Sequence, residues 1–385
     1  MAKLNSFILT LWFLILPISC SLRECRRRQP GQVEEGGPAA LYVFGDSFLD
    51  SGNNDYINTT ALYLANFWPY GETFFHFPTG RFSNGRLMSD FIAEYAKLPL
   101  TRPFLQPGID QMDYYYYKNG VNFASAGAGA LVGTFQGLVI SLSEQLNFYR
   151  KVVEGLRQKL GDVESKKTLS KAVYLFSIGT NDYTSIFLQH SNILSHYSKS
   201  TYVGMVIGNL TIAIREVYGR GGRKFGFLNL GPLGCLPAIR VLGPDHEGIN
   251  GGCLEEEAST LAKLHNEALS KMLSELESQL KDFRYALYDF HTNLRERMDH
   301  PSIYGFKEGM AACCGTGEFR GEFSCGGRRP VKEFELCDNP AEYVFWDSIH
   351  LTEEANQQMA AQMWAGGGPY AVKPYNLKTL FECLH

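Results

Sequence analysis

A chain of 385 residues has room for one large α/β domain or two of average size, and 45% hydrophobic with 20% charged residues describes a globular protein able to bury a sizeable core. Lys and Arg number 36 against 40 Asp and Glu, a net charge of -4 that offers no general attraction for a phosphate backbone. Nucleic acid is therefore not an expected partner.

The N-terminus is a separate object. Lys3 supplies a positive region, residues 7–18 an apolar run, and Ser19, Cys20 and Ser21 small residues suited to cleavage, so residues 1–21 read as a signal peptide. The run falls short of the about 20 apolar residues that cross a bilayer, and no later segment reaches that length, so stable membrane insertion is not expected. Residues 22–38 are charged, rich in Gly and Pro and without periodicity, a flexible lead. No linker or internal repeat follows, so residues 39–385 are expected to form a single domain of a secreted, extracellular protein.

Residues 41–44 (LYVF) fit a strand buried on both faces, broken by the turn formers Gly45, Asp46 and Ser47. Residues 62–86 are dense in aromatics, Gly and Pro, as in an ordered loop packed beside a site. Residues 88–96 have helical spacing, and the tyrosines at 114–117 suit a loop or short strand. Residues 121–124 (VNFA) lead into the Gly-rich SAGAGALVG. An amphipathic helix is read over 143–160, a buried strand over 172–178 ending in GTND, a helix over 200–218, a strand over 224–230, a long helix over 261–280 and a strand over 285–290. Buried strands alternating with amphipathic helices predict a mostly parallel sheet covered on both faces.

Nine cysteines are present, eight of them after Ser21. Four, Cys313, Cys314, Cys325 and Cys337, crowd a Gly-rich run without helical or strand pattern. Zinc competes as an explanation, but the adjacent pair lacks the CxxC spacing of structural zinc sites, so disulfides in an oxidising compartment are expected, with the pairing open. Sequons at Asn58 and Asn209 become candidate glycosylation sites on a secreted chain.

Four polar positions follow strands or lie near the end of the chain: Ser47, the 122–129 run, Asn181, and Asp347 with His350. Together they supply what acyl transfer needs. A serine hydroxyl attacks a carbonyl only when a base takes its proton, and the base needs a carboxylate to hold its tautomer. His350 stands three residues after Asp347, within reach of that carboxylate from a neighbouring turn. Backbone N–H groups of Ser47 and Gly127 and the amide of Asn181 can serve a developing oxyanion, with Gly129 competing for the role of Gly127. Each part also has an ordinary explanation: turn chemistry for Ser47 and Asn181, close packing for the glycines, and a helix start for Asp347 with Thr352 as N-cap. GAGALVG misses the dinucleotide fingerprint by one residue, and G-x-S-x-G is absent around Ser47.

The blocks FGDSFLDSGNN, GVNFASAGAG, IGTNDY and FWDSIHLTEEAN resemble, in order and spacing, the four signature blocks of the plant GDSL esterase/lipase family within the SGNH hydrolases. WPYG, FPTGRFSNGR, FGFLNLGPLGCLP and CCGTG with LCDNPAEYVFWD extend the resemblance from residue 39 to the end. Phe48 stands where the family name has Leu, and Leu351 where many members have Pro. The resemblance implies an α/β protein, a three-layer α/β/α SGNH-hydrolase-like fold with a central parallel sheet. It also implies Ser47, Gly127, Asn181 and His350 as signature residues, with Asp347 completing a triad. No metal or organic cofactor is implied, and the implied partner is a small-molecule acyl ester or lipid hydrolysed through an acyl-enzyme. A polysaccharide deacetylase or transacylase of the same family, and a non-catalytic extracellular binding protein on the same fold, are the competing readings. Acyl length, leaving alcohol and oligomeric state are not legible.

Overall fold

A computed structural model of the chain describes residues 39–108, 117–242, 253–366 and 372–383. The expected signal peptide and flexible lead, with Cys25, and the tyrosines at 114–116 lie outside the described residues.

Six strands form the central sheet: β1 (Leu41–Gly45), β2 (Gly120–Asn122), β3 (Val173–Ser177), β4 (Lys224–Leu228), β5 (Arg284–Tyr288) and β6 (Lys373–Pro374). Their order is β6-β5-β4-β3-β1-β2, parallel throughout except for β6, which pairs antiparallel with β5. That two-residue edge is too short to leave a pattern in the sequence, and its proline fits an edge, where one face of the backbone needs no partner.

Register explains how the sheet is covered. Tyr42 pairs with Tyr174 and Tyr174 with Phe225, while Phe44 pairs with Phe176 and Phe176 with Phe227. Two rows of rings therefore cross one face, with centroids 5.4 Å apart for Tyr42 and Tyr174 and 4.8 Å for Phe44 and Phe176. Tyr149, from helix α2 (Leu142–Lys171), packs edge-on against Tyr42 and Phe44. With helices α4 (Lys199–Gly219) and α5 (Thr260–Gln279) it covers the aromatic face. On the opposite face, a Cβ at Gly226 would meet Leu377 and Met363. Those residues belong to α8 (Leu377–Glu382) and α7 (Glu353–Ala365), which packs in turn on α1 (Met88–Tyr95). The result is the three-layer α/β/α arrangement expected from the sequence.

Boundaries moved where local chemistry intervened. The helix expected over 143–160 continues as α2 to Lys171, but Gly161 at φ 77° and ψ 168° interrupts it where the periodic pattern stops. The last parallel strand ends at Tyr288 because the Asp289 carboxylate accepts from Thr292 N–H and caps helix α6 (Phe290–Asp299), which the sequence reading missed. Thr352 caps α7 as expected, accepting from Ala355 N–H at 3.3 Å.

The four cysteines of the Gly-rich run form Cys313–Cys337 and Cys314–Cys325, and a third bridge joins Cys235 to Cys253. The run is stitched to the strand Tyr343–Phe345 and its exit: Cys313 N–H donates to Phe345 and Cys314 N–H to Trp346. Among the described residues no helix is long and apolar enough to cross a membrane.

Candidate active site

Because β1, β2 and β3 are parallel, the segments after them emerge at one edge of the sheet, where ligands of open α/β sheets bind. β1 turns at once. Gly45 holds φ 153°, and a Cβ there would lie 2.3 Å from the Ser177 carbonyl, so only glycine lets Asp46 N–H reach that carbonyl at 3.1 Å. Gln145 locks the turn by donating to and accepting from the Gly45 backbone. Ser47 is thereby presented at the sheet edge, 7% exposed.

Asp347 and His350 arrive on the tight turn after Tyr343–Phe345. Asp347 Oδ1 accepts from the N–H groups of Ile349 and His350 at 2.9 and 2.8 Å, and Trp346 N–H closes the turn on the His350 carbonyl at 2.7 Å. The His350 ring bridges Asp347 and Ser47: Nδ1 lies 2.8 Å from Asp347 Oδ1 and Nε2 lies 2.7 Å from Ser47 Oγ. An ionised carboxylate only accepts, so Nδ1 carries the proton and Nε2 is left to accept from the serine hydroxyl. Burial alone would push the Asp347 carboxyl up. The charge and hydrogen bond of His350, the charge of Arg329 and the Ile349 N–H outweigh it and hold the group below the usual carboxylate range.

Ser47 and His350 open on a cavity of about 290 Å³ whose walls are largely apolar, with Leu62, Tyr63, Phe82, Phe135, Leu188 and Phe323 among them. Gly127, Thr180 and Asn181 also reach it. Gly127 sits at φ 82°, where a Cβ would strike Tyr63 and Val139. Gly129 is absent from the cavity wall and backs onto Asp182, whose Oδ1 would lie 2.3 Å from an added Cβ. Of the two glycines weighed for one role, the structure brings Gly127 to the serine and leaves Gly129 as a packing position. Among the described residues the backbone N–H groups of Ser47 and Gly127 have no acceptor. Asn181, in the first turn of α3 (Thr180–Leu188), spends one amide N–H on the Ala128 carbonyl at 2.9 Å, which orients the group.

Several residues that hold this arrangement were not singled out from the sequence. Asp50 accepts from Gly52 and Asn53 N–H on Oδ1 and from Ala126 N–H on Oδ2. Asn53 donates to the Asn122 and Ala124 carbonyls, and Asn54 to the Ala126 carbonyl. The first block therefore clamps the second just ahead of Gly127. Asp182 secures the far side through Ala130 N–H, Leu131 N–H and the Thr134 hydroxyl. Both carboxyls are pushed up to about 6, chiefly by burial, against the hydrogen bonds they accept. The expected aromatic loop does pack at the site: Phe82 lies 4.6 Å from the His350 ring centre, and Tyr70 donates to Asp347 Oδ2 at 2.8 Å. The signal was present in WPYG and FPTGRFSNGR, but nothing in spacing tied either to Asp347. Asn58 and Asn209 are both exposed.

Fold and site together define an α/β hydrolytic enzyme with a polar relay at the carboxyl edge of its sheet. Residues 41–363 match the family model of the GDSL-like Lipase/Acylhydrolase. The chain is 53% identical over 376 residues to GDSL esterase/lipase 5 of Arabidopsis thaliana, covering 96% of this chain and 95% of that protein. It is 53% identical over 346 residues to GDSL esterase/lipase 1 of the same plant, covering 89% and 90%, and 46% identical over 358 residues to a GDSL lipase of Tanacetum cinerariifolium, covering 93% and 92%. The chain belongs to the GDSL esterase/lipase family, and it is a carboxylic ester hydrolase.

Proposed function

We propose that Ser47 is the nucleophile, His350 the general base and Asp347 its orienting carboxylate, in a reaction that hydrolyses acyl esters through an acyl-enzyme. The observation that carries this reading is the continuous hydrogen-bonded chain from Asp347 through His350 to Ser47 Oγ, ending at an apolar cavity. Ser47 Oγ adds to the ester carbonyl as its proton passes to His350 Nε2, and the imidazolium is paired with Asp347. The carbonyl oxygen gains negative charge beside the N–H groups of Ser47 and Gly127 and the second amide N–H of Asn181, donors with no other acceptor among the described residues. Collapse breaks the bond to the alcohol oxygen, which leaves with the proton from His350. Water then attacks the acyl-enzyme with His350 again as base, releasing the carboxylic acid and restoring Ser47. The apolar walls suit the hydrocarbon part of an acyl group.

The same reading makes residues 39–385 one hydrolase domain, secreted after loss of residues 1–21 and glycosylated at Asn58 and Asn209. The disulfides support an oxidising compartment, and the exposure of both asparagines leaves room for glycans. A serine-directed phosphonate tests the assignment: peptide mass spectrometry should find one adduct, on Ser47, forming in step with loss of esterase activity. An adduct elsewhere with full inactivation would overturn it.

A further inference from the structure

Asp347 has a second set of partners on the side away from the backbone of its own turn. Tyr70 is fully buried, and its hydroxyl donates to Asp347 Oδ2, the oxygen that accepts neither backbone N–H of that turn. Burial pushes the Tyr70 phenol well above its ordinary range, the nearby Arg329 charge opposing and Asp347 adding to the rise, so the hydroxyl keeps its proton and remains a donor. Behind it stands Arg329, 1% exposed and without a salt bridge among the described residues. Its guanidinium donates to the carbonyls of Cys325 at 2.7 Å and Leu64 at 3.0 Å and faces the Phe323 ring at 4.1 Å and the Tyr70 ring at 5.2 Å. Arg329 Nε is buried with no partner. A buried cation left this incompletely satisfied is costly unless a nearby anion offsets it, and the carboxylate on which its field acts is Asp347.

We infer that Tyr70 and Arg329 are positioning residues for the hydrolytic reaction, acting on His350 through Asp347. The inference rests on the catalytic reading proposed for Ser47, His350 and Asp347. Tyr70 pins the carboxylate so that it stays turned toward His350 Nδ1. The oxygen that Tyr70 holds, Oδ2, also lies 3.0 Å from His350 Nδ1, so the Tyr70 hydrogen bond acts on an oxygen that faces the imidazole, with the Arg329 charge behind it. Asp347 faces His350 from its own turn, with Tyr70 of the aromatic loop bonded to Asp347 and the charge of Arg329 from the Cys-rich run acting on it, while Phe48 and Phe82 present neutral rings to the imidazole. The Cys-rich run is thereby tied to the site, because Cys325, whose carbonyl holds Arg329, is bridged to Cys314.

The test is kcat and KM for Tyr70→Phe, Arg329→Met and Arg329→Lys, per site titrated with phosphonate, with Ser47→Ala alongside. Tyr70→Phe keeps the ring and its packing. Its kcat should fall roughly tenfold with KM changed less than twofold, as should that of Arg329→Met, with Arg329→Lys returning most of the loss. If Tyr70→Phe and either Arg329 variant that folds keep the wild-type kcat while only melting temperature falls, both residues are structural and the inference is wrong. If Ser47→Ala stays active, the catalytic reading itself fails; a dead Ser47→Ala with unchanged kcat in the Tyr70 and Arg329 variants removes this inference alone.

Discussion

Asp50→Asn separates a donor that is merely near the serine from one the fold holds in place. The Asp50 carboxylate accepts three backbone N–H groups, from Gly52 and Asn53 at 2.8 Å on Oδ1 and from Ala126 at 2.9 Å on Oδ2. An amide has one oxygen. Turned toward Gly52 and Asn53, it sets its NH₂ against Ala126 N–H; turned the other way, it opposes two donors. The better orientation leaves one buried donor unmet, at about 1–3 kcal/mol. For a domain of this size that lowers the melting temperature by a few degrees, roughly 2–6 °C. Ala126 precedes Gly127, so loosening its anchor displaces the Gly127 N–H. A misplacement near 1 Å costs about 10²-fold, and kcat should fall roughly 10- to 100-fold with little change in KM. Calorimetry and ester hydrolysis per folded molecule measure both effects. Wild-type melting together with wild-type kcat would show that Asp50 does not position this segment.

Asp46→Asn tests a buried carboxyl beside Ser47. Asp46 Oδ1 accepts from Phe48 N–H while Oδ2 has no partner, and burial above all, with the charges of Asp182 and Asp50 adding, pushes the group up to about 8. A folded-state value above the unfolded one means the folded chain holds this proton more tightly, so the stabilising contribution is full below about pH 4 and lost as pH rises through about 8. Melting of Asp46→Asn should therefore depend less on pH between 5 and 9 than melting of the wild type; equal slopes would refute the burial argument. Asn181→Ala should lower kcat by about 10² to 10³ with KM little changed, and Asn181→Asp more, because a carboxylate repels the oxyanion. An Asp variant with wild-type turnover would remove Asn181 from the site. Unreduced peptide mapping should recover Cys313 linked to Cys337 and Cys314 to Cys325, and reduction should destabilise the chain by roughly 2–5 kcal/mol per bridge; free thiols or exchanged partners would contradict the arrangement.

Much of the fold was legible because its strands are short runs buried on both faces and its helices carry one apolar stripe. Phe44 and Phe176 mark core strands before any register is known, whereas Lys373 and Pro374 at the antiparallel edge carry no period at all. The polar parts of the site were legible as residue types placed just after strands, since parallel strands deliver their exit turns to one edge. Gly127 and Gly129 could not be separated in sequence: both are glycines in one run, and what distinguishes them is that Gly127 lines the cavity while Gly129 backs onto Asp182. Tyr70 and Arg329 were illegible for a different reason. Tyr70 reaches Asp347 from a loop with no periodicity, across 277 residues of chain, and Arg329 stands against Tyr70 from another such loop, so no local rule relates them to the turn after Phe345.

Ser47 is proposed to form the covalent bond to the acyl group. Ser47→Ala removes one oxygen from a turn held by Gly45, Gln145 and the Ser177 carbonyl, so folding and melting temperature should stay close to wild type. Hydrolysis of p-nitrophenyl esters from acetate to palmitate, measured on this variant and the wild type at matched folded concentration, is the direct measurement. Hydrolysis should be lost across the whole series with His350 and Asp347 intact; a folded Ser47→Ala that keeps most of the wild-type rate on any of these esters would rule Ser47 out as the acyl acceptor.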